Sequence, residues 1–256
     1  MFSKAIVRAP GTTFATGLTS VDLGAPDFER ALKQHEAYCQ TLESCGLTII
    51  RLAPDEAHPD STFVEDTAIL TERGAVITRP GAPSRLGEIN QIVPVIRDYF
   101  STLHSIKEPG TVDGGDICEA GEHFFIGISR RTNEHGAEQL AGFLSSFGYT
   151  SSLIDIRGVS NILHLKSGLA YLSGKQLVLI EALRGFKEFS GYDSVCLDSD
   201  EEYAANCLEI NGKVLIADRF PAMRRQLEHL GHQTIALDMS EFQKMDGGLS
   251  CLSLRL

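Results

Sequence analysis

The chain has 256 residues, 43% of them apolar and 22% charged, enough to bury a core in one large domain or two small ones. Its formal net charge of −11 excludes the clustered Lys and Arg of a nucleic-acid footprint, and suits either plain solubility or a cationic substrate. No apolar run approaches the ~18 residues of a membrane span, and Met1-Phe2-Ser3-Lys4 leads without a signal peptide into a first strand at Ala5-Ile6-Val7-Arg8. The cysteines at 39, 45, 118, 196, 207 and 251 form no CxxC pair and read as reduced thiols in a cytoplasmic protein.

Helices are predicted over 27–45, 84–101, 133–148 and 219–231, where apolar residues recur three and four apart. Gly46, Gly148 and Gly231 close three of them. A fifth, around 181–190, is short and poorly patterned. Apolar runs after turns predict strands at 74–78, 122–126, 174–180 and 211–216, the last opened by the hairpin signal Asn211-Gly212. Further strands follow the closing glycines at 47–52, 150–154 and 233–237. Ahead of each unit lies a short segment with a polar residue, read as a first strand: Thr62–Asp66, Val112–Asp116, Ile162–Leu165, Ala205–Leu208 and Leu249–Leu252. These recur at steps of roughly 40 to 50 residues, the period of a circular or stacked array of one supersecondary unit. The unit is strand–strand–helix–strand, no linker interrupts it, and residues 1–256 are expected to form a single α/β domain. The strand holding Cys251 is expected to close the first repeat like a clasp.

If the array is circular, Glu65, Asp66, Asp113, Asp116, His164 and Cys251 converge on one axis as an active-site constellation. Each has a plainer reading. Cys251 shares a polar strand face with Ser253 and Arg255, yet free Cys is commonly an inert buried thiol. His164 fits a structural hydrogen bond as well as proton transfer. Adjacent acids Glu65 and Asp66 between apolar flanks are exposed, paired, or holding a cation, because burial without a partner is costly. Asp113-Gly114-Gly115-Asp116 would serve as a hairpin turn anywhere. Arg85 and Arg131 lie between a second strand and its helix; they are surface residues or a two-armed grip on one carboxylate. The remaining histidines look solvated. P-loop, GxGxxG, HExxH and zinc-spaced Cys/His patterns are absent.

Together the segments Phe63-Val64-Glu65-Asp66, Thr78 to Arg85, Asp113-Gly114-Gly115-Asp116, Arg131-Thr132-Asn133, Leu163-His164-Leu165-Lys166 and Asp246 to Cys251 resemble the motif series of the dimethylarginine dimethylaminohydrolases. These form a branch of the guanidine-modifying α/β-propeller (pentein) superfamily. The resemblance runs from the Gly17-Leu18-Thr19-Ser20 loop to Cys251. It implies a five-bladed α/β propeller of ββαβ repeats and hydrolysis of Nω-methylated arginine to citrulline through a covalent cysteine adduct, with no cofactor. It implies Cys251 as nucleophile, His164 as general acid and base, and Asp113 as carboxylate partner of both the histidine and the guanidinium. Asp66, with Glu65, would bind the guanidinium nitrogens, and Arg85 and Arg131 the α-carboxylate. Asp60 and the backbone of Leu18 and Met245 would hold the amino-acid end, under a lid formed by 17–25. Some relatives carry Glu where this chain has Asp113.

Three rivals stand beside that reading. An arginine deiminase uses the same residues, but this compact chain has no room for the usual helical insertion. A non-catalytic arginine-binding propeller would not need the thiol. A metal protein would use Cys251 and His164, a pair at which the resemblance allows adventitious zinc as an inhibitor. Open edges at the clasp are compatible with a homodimer.

Overall fold

Apolar runs cut by turns give short strands, and the amphipathic stretches between them give helices. The computed structural model describes Met1 to Leu256. In chain order the elements are β1 (Lys4–Arg8), α1 (Phe28–Ser44), β2 (Thr48–Leu52), β3 (Ala68–Thr71), β4 (Gly74–Ile77), α2 (Ile89–Arg97) and β5 (Leu103–Ser105). Then come β6 (Ile117–Ala120), β7 (His123–Ile128), α3 (Glu134–Ser146), β8 (Thr150–Asp155), β9 (Leu169–Leu172), β10 (Gln176–Ile180) and β11 (Asp193–Leu197). The last are β12 (Leu208–Ile210), β13 (Lys213–Ala217), α4 (Pro221–His229), β14 (Gln233–Leu237), α5 (Ser240–Gln243) and β15 (Leu254–Arg255). No helix is long and apolar enough to cross a membrane.

Side-chain capping starts the two best-formed helices. Asp27 accepts from the Arg30 amide ahead of α1, and Asn133 from the Gly136 amide ahead of α3. Gly46 ends the first helix at φ 94°, a left-handed geometry that a Cβ would strain.

The strands form five three-stranded sheets. In four of them the middle strand, β4, β7, β10 or β13, pairs antiparallel with the strand before it and parallel with the strand after its crossover. In the fifth, β1 pairs parallel with β2 and antiparallel with β15, setting Ala5 opposite Arg255 and Ile6 opposite Leu254. The expected clasp is therefore present. Inner strands of neighbouring sheets touch, β15 with β3, and β9 with both β6 and β12. The core lies between each sheet and its crossover; Ala137, Leu140 and Leu144 of α3, for example, bury against Phe124 and Ile126 of β7. Burying a side chain of this size contributes about 1.5–3 kcal/mol, which is why these faces and not the polar ones turn inward.

Four expectations need correction. The motif segments read as first strands overlap or adjoin 3-10 turns, namely Val64–Thr67, Gly114–Asp116, Leu165–Ser167, Glu202–Ala205 and Ser250–Leu252, with the inner strand following each. Cys251 thus sits in a turn and not on a strand face with Ser253 and Arg255, and Asp113-Gly114-Gly115-Asp116 is no hairpin. The helix predicted over 84–101 is a 3-10 segment, Pro83–Glu88, and then α2. Gly87 disfavours an α-helix there, and the tighter winding carries Arg85 inward to its partners. The stretch around 181–190 is two 3-10 turns, Glu181–Leu183 and Lys187–Phe189. His35, expected in solvent, is buried on α1 beside Phe242, and burial lowers its pKa to about 4.

Candidate active site

The five 3-10 turns gather at one end of the inner strands. The turn Val64–Thr67 touches both Ser250–Leu252 and Gly114–Asp116; the latter touches Leu165–Ser167, which touches Glu202–Ala205. This brings together Asp66, Asp113, His164 and Cys251 from distant parts of the chain. The approach is tight enough to dictate glycine. A Cβ on Gly114 would lie 2.0 Å from the Glu65 carbonyl oxygen, and one on Gly115 would lie 2.7 Å from His164 Nδ1 and 3.1 Å from Asp66 Oδ1.

His164 Nε2 is 3.0 Å from Asp113 Oδ2, and both residues are buried. The shorter arm of Asp113 therefore still reaches the ring. Burial opposes protonation of His164, but the negative charges of Asp66, Asp116 and Asp113 outweigh it and raise the pKa to about 9. Burial would also push Asp113 up; the bond to His164 and the charges of His164 and Arg85 hold it below the usual carboxylate range. The imidazole is thus held as imidazolium at neutral pH. Asp66 Oδ1 accepts the Gly115 amide at 2.8 Å, and Asp113 Oδ1 accepts the Gly81 amide at 2.7 Å. Asp66, Asp113 and His164 present ligand atoms within 4.8 Å of one another, a spacing that suits a cation, either a metal ion or a planar guanidinium.

Cys251 is partly exposed and lines a cavity of about 690 Å³. The cavity wall also includes Leu163, Asn206 and Gly248, together with Ser20, Val21 and Leu23 from the segment expected to be a lid. Burial, then the carboxylates of Glu65 and Asp66, push the Cys251 thiol up to about 12. Asn206 fixes its turn from the side. The Asn206 Oδ1 accepts the Ser250 amide at 2.9 Å, while Nδ2 donates to the Lys166 carbonyl at 2.8 Å and to Ser250 Oγ at 3.1 Å.

Glu65, expected on the guanidinium, has both oxygens engaged by the protein. Oε1 meets Lys166 Nζ at 2.6 Å and Arg255 Nη2 at 2.9 Å, and Oε2 accepts from Ser250 Oγ at 2.8 Å. These groups line a second cavity, of about 820 Å³, that also includes the hairpin ends at Gly121, Gly174 and Gly212. It therefore lies toward the other end of the inner strands. Arg85 is buried too; it donates twice to Glu88, at 2.9 and 2.8 Å, once to Asp66 Oδ2 at 2.6 Å, and to the carbonyls of Asp60 and Phe63. Arg131 differs. Its Nη1 is buried without a hydrogen-bond partner, 3.9 Å from Asp113 Oδ2. A buried donor left open is costly unless an acceptor arrives.

The lid is closed. The Leu18 amide donates to Asp60 Oδ1 at 2.9 Å, Thr19 Oγ1 to the Lys244 carbonyl at 2.9 Å, and the Ser20 amide to Asp246 Oδ2. No protein donor reaches the carbonyls of Leu18 and Met245. Phe14, Phe63 and Phe242 pack under the foot of the lid with ring centroids 5.5 to 6.3 Å apart.

No family model matches the chain. It is 42% identical over 256 residues to the N(G),N(G)-dimethylarginine dimethylaminohydrolase of Pseudomonas aeruginosa, covering all of both chains. The chain belongs to the dimethylarginine dimethylaminohydrolase family. The Streptomyces coelicolor member is 33% identical over 259 residues, covering 99% of this chain and 96% of its own. The solved structure of the P. aeruginosa dimethylarginine dimethylaminohydrolase, as a Cys-to-Ser mutant complexed with citrulline, matches with a TM-score of 0.97 at 41% identity over the whole of both chains. The N-terminal domain of a cyanobacterial arginine dihydrolase, ArgZ, shares the fold, with a TM-score of 0.87 at 17% identity over 100% of this chain and 97% of its own.

Against the family motifs, sequence reasoning missed Asn206, Ser250, Lys166 and Arg255, which position Glu65 and the turn of Cys251. Their partners lie as far as 185 and 190 residues away, so no local pattern marks them. One signal was present: Glu88 stands three residues after Arg85, the spacing of a helical ion pair.

Proposed function

We propose that this chain hydrolyses Nω,Nω-dimethyl-L-arginine, and the monomethyl form, to citrulline and the free amine, as a single catalytic domain over residues 1–256. The observation that carries the reading is the His164–Asp113 pair at 3.0 Å, set beside Asp66 in the same ring of turns as Cys251. We read the five sheets as blades of an α/β propeller with this site on its axis. The charge balance fits the substrate. Six carboxylates in and around the site (Asp60, Glu65, Asp66, Glu88, Asp113 and Asp116) face Arg85, Arg131, Lys166, Arg255 and the His164 imidazolium. That leaves one excess negative charge, and a methylarginine zwitterion carries one net positive charge.

Asp66 and Asp113 would take the guanidinium nitrogens, fixing the plane of the group and its carbon near the sulfur. Glu65, held by Lys166 and Arg255, would supply charge from behind. The open Arg131 Nη1, with Arg85 alongside, would take the α-carboxylate. Asp60 and the free carbonyls of Leu18 and Met245 would hold the ammonium. As the guanidinium binds, the Cys251 thiol gives its proton to solvent, and the thiolate attacks the guanidinium carbon to give a tetrahedral adduct. His164 gives its proton to the departing dimethylamine as the C–N bond breaks, leaving a cationic thiouronium on sulfur. Neutral His164 then takes one proton from water as the oxygen adds to the same carbon; the C–S bond breaks as the remaining O–H proton passes to the departing sulfur, releasing citrulline and restoring the Cys251 thiol and the His164 imidazolium. The step needs no cofactor from outside this residue set. Six free thiols suit a reducing, cytoplasmic setting, and the free edge of β2 beside the clasp offers a second copy a place to pair.

The test is product formation from asymmetric dimethylarginine and from arginine, with wild type and Cys251→Ser. Citrulline and dimethylamine from the first substrate only, and none from the variant, is the expected result. Ammonia from arginine instead would move the chain to a deiminase reaction at the same site. Binding of both substrates without product would sink the catalytic reading.

A further inference from the structure

Asp116 is fully buried, and the chemistry above does not use it. Its Oδ1 accepts the Leu165 amide at 3.0 Å, the peptide immediately after His164. Its Oδ2 accepts from Ser129 Oγ at 2.7 Å. Ser129 Oγ in turn accepts the Arg131 amide at 2.9 Å and the Thr132 amide at 3.1 Å. A hydroxyl has one proton and two lone pairs, so this set saturates Ser129. The Asp116 amide donates to the Asp113 carbonyl at 3.0 Å, closing the same turn that carries the partner of His164.

We propose that Asp116 is a positioning residue of this site, whose carboxylate ties the turn bearing His164 to the loop bearing Arg131 and so fixes the distance between proton donor and α-carboxylate anchor. The inference rests on the functional reading given above. Only a carboxylate satisfies both ends. An Asn amide turned toward Ser129 would meet an oxygen with no free lone pair, and the flipped amide would set its NH2 against the Leu165 amide. Donor would face donor in either orientation, and a buried unmatched donor is costly. The charge matters as well as the geometry. The charged groups facing His164 are Asp66, Asp113 and Asp116, with Arg85 behind Asp66 and Arg131 beside Asp113. Removing one of three carboxylates weakens the hold on the imidazolium. Burial raises the pKa of Asp116 itself to about 6, so it remains mostly ionised at neutral pH.

The experiment compares Asp116→Asn and Ser129→Ala with wild type in three readouts: NMR titration of the His164 ring in the free protein, kcat/KM against pH, and KM. Asp116→Asn is expected to titrate His164 at lower pH, move the alkaline limb of kcat/KM with it, and raise KM. The accompanying loss in kcat/KM is roughly tenfold, less than the roughly 10²–10⁴-fold that loss of the general acid itself would cost. Ser129→Ala is expected to raise KM and leave His164 in place, because it cuts only the Arg131 arm. A folded Asp116→Asn protein with wild-type His164 titration and wild-type KM overturns the inference. If that variant does not fold, an unchanged KM in Ser129→Ala overturns it instead. Wild type giving no product sinks the functional reading alone, since the His164 titration of the two variants still decides whether Asp116 holds the ring.

Discussion

The Cys251 thiol should be almost entirely protonated in the free enzyme and ionise only against bound substrate. Burial and the charges of Glu65 and Asp66 push it up to about 12, while the Gly248 hydrogen bond and Lys166 pull weakly the other way. At pH 7.5 a group with that pKa is thiolate in roughly three molecules per 100,000. A guanidinium ~4 Å from the sulfur contributes about 4 kcal/mol at an effective dielectric of ~20, or about three pKa units. Substrate binding would thus raise the thiolate fraction roughly a thousandfold. The perturbation is pH, and the assay is the rate of inactivation by iodoacetamide, whose neutrality keeps the charges of the site from biasing its approach. The rate should still be climbing at about pH 9.5 in free enzyme, because only thiolate reacts. A plateau with a midpoint below about 7 would mean that the free site already stabilises the thiolate, and the argument from buried carboxylates would be wrong.

Arg85→Met should destabilise the protein by about 3–5 kcal/mol, because it leaves Asp66 and Glu88 buried without their cation. Denaturant unfolding measures it, and a loss under ~1 kcal/mol would show that the pair is not a strut. Arg131→Gln should raise KM by roughly 10- to 100-fold, the worth of a charged hydrogen bond, with a smaller change in kcat. With the α-carboxamide of the same substrate, wild type and variant should converge; a persistent gap would place the role of Arg131 elsewhere.

The repeat was legible because its signals are local. Asn211-Gly212 marks a hairpin, Gly46 a helix end, and the 3.6-residue spacing of Ala137, Leu140 and Leu144 a buried helix face. The motif turns were not, because a 3-10 segment of three or four residues is too short to show a period. The apolar pair Phe63-Val64, running toward the true strand at Ala68-Ile69, then extends the strand pattern back over the turn. The acids and the histidine of the site were legible as a converging set, and the His164–Asp113 pairing came from the family resemblance, but the partners of Glu65 and Arg131 were out of reach. Nothing near Glu65 announces Arg255, and nothing near Arg131 announces that its guanidinium keeps an open donor. Arg85 was read by its place between strand and helix, where Arg131 also lies; that the inward turn of Pro83–Glu88 gives it Asp66 and Glu88 as partners was not legible.

The pairing of β15 with β1 joins two strands separated by every other sheet in the chain. Cys251 lies just ahead of β15, so it emerges later than Asp66, Asp113 and His164. The proposed nucleophile is thus the last of the proposed catalytic residues along the chain. The same C-terminal stretch closes the first sheet and brings Arg255 to Glu65. A chain cut short of Cys251 would therefore lose the proposed nucleophile, the closing strand of the first sheet and the Arg255 partner of Glu65 together.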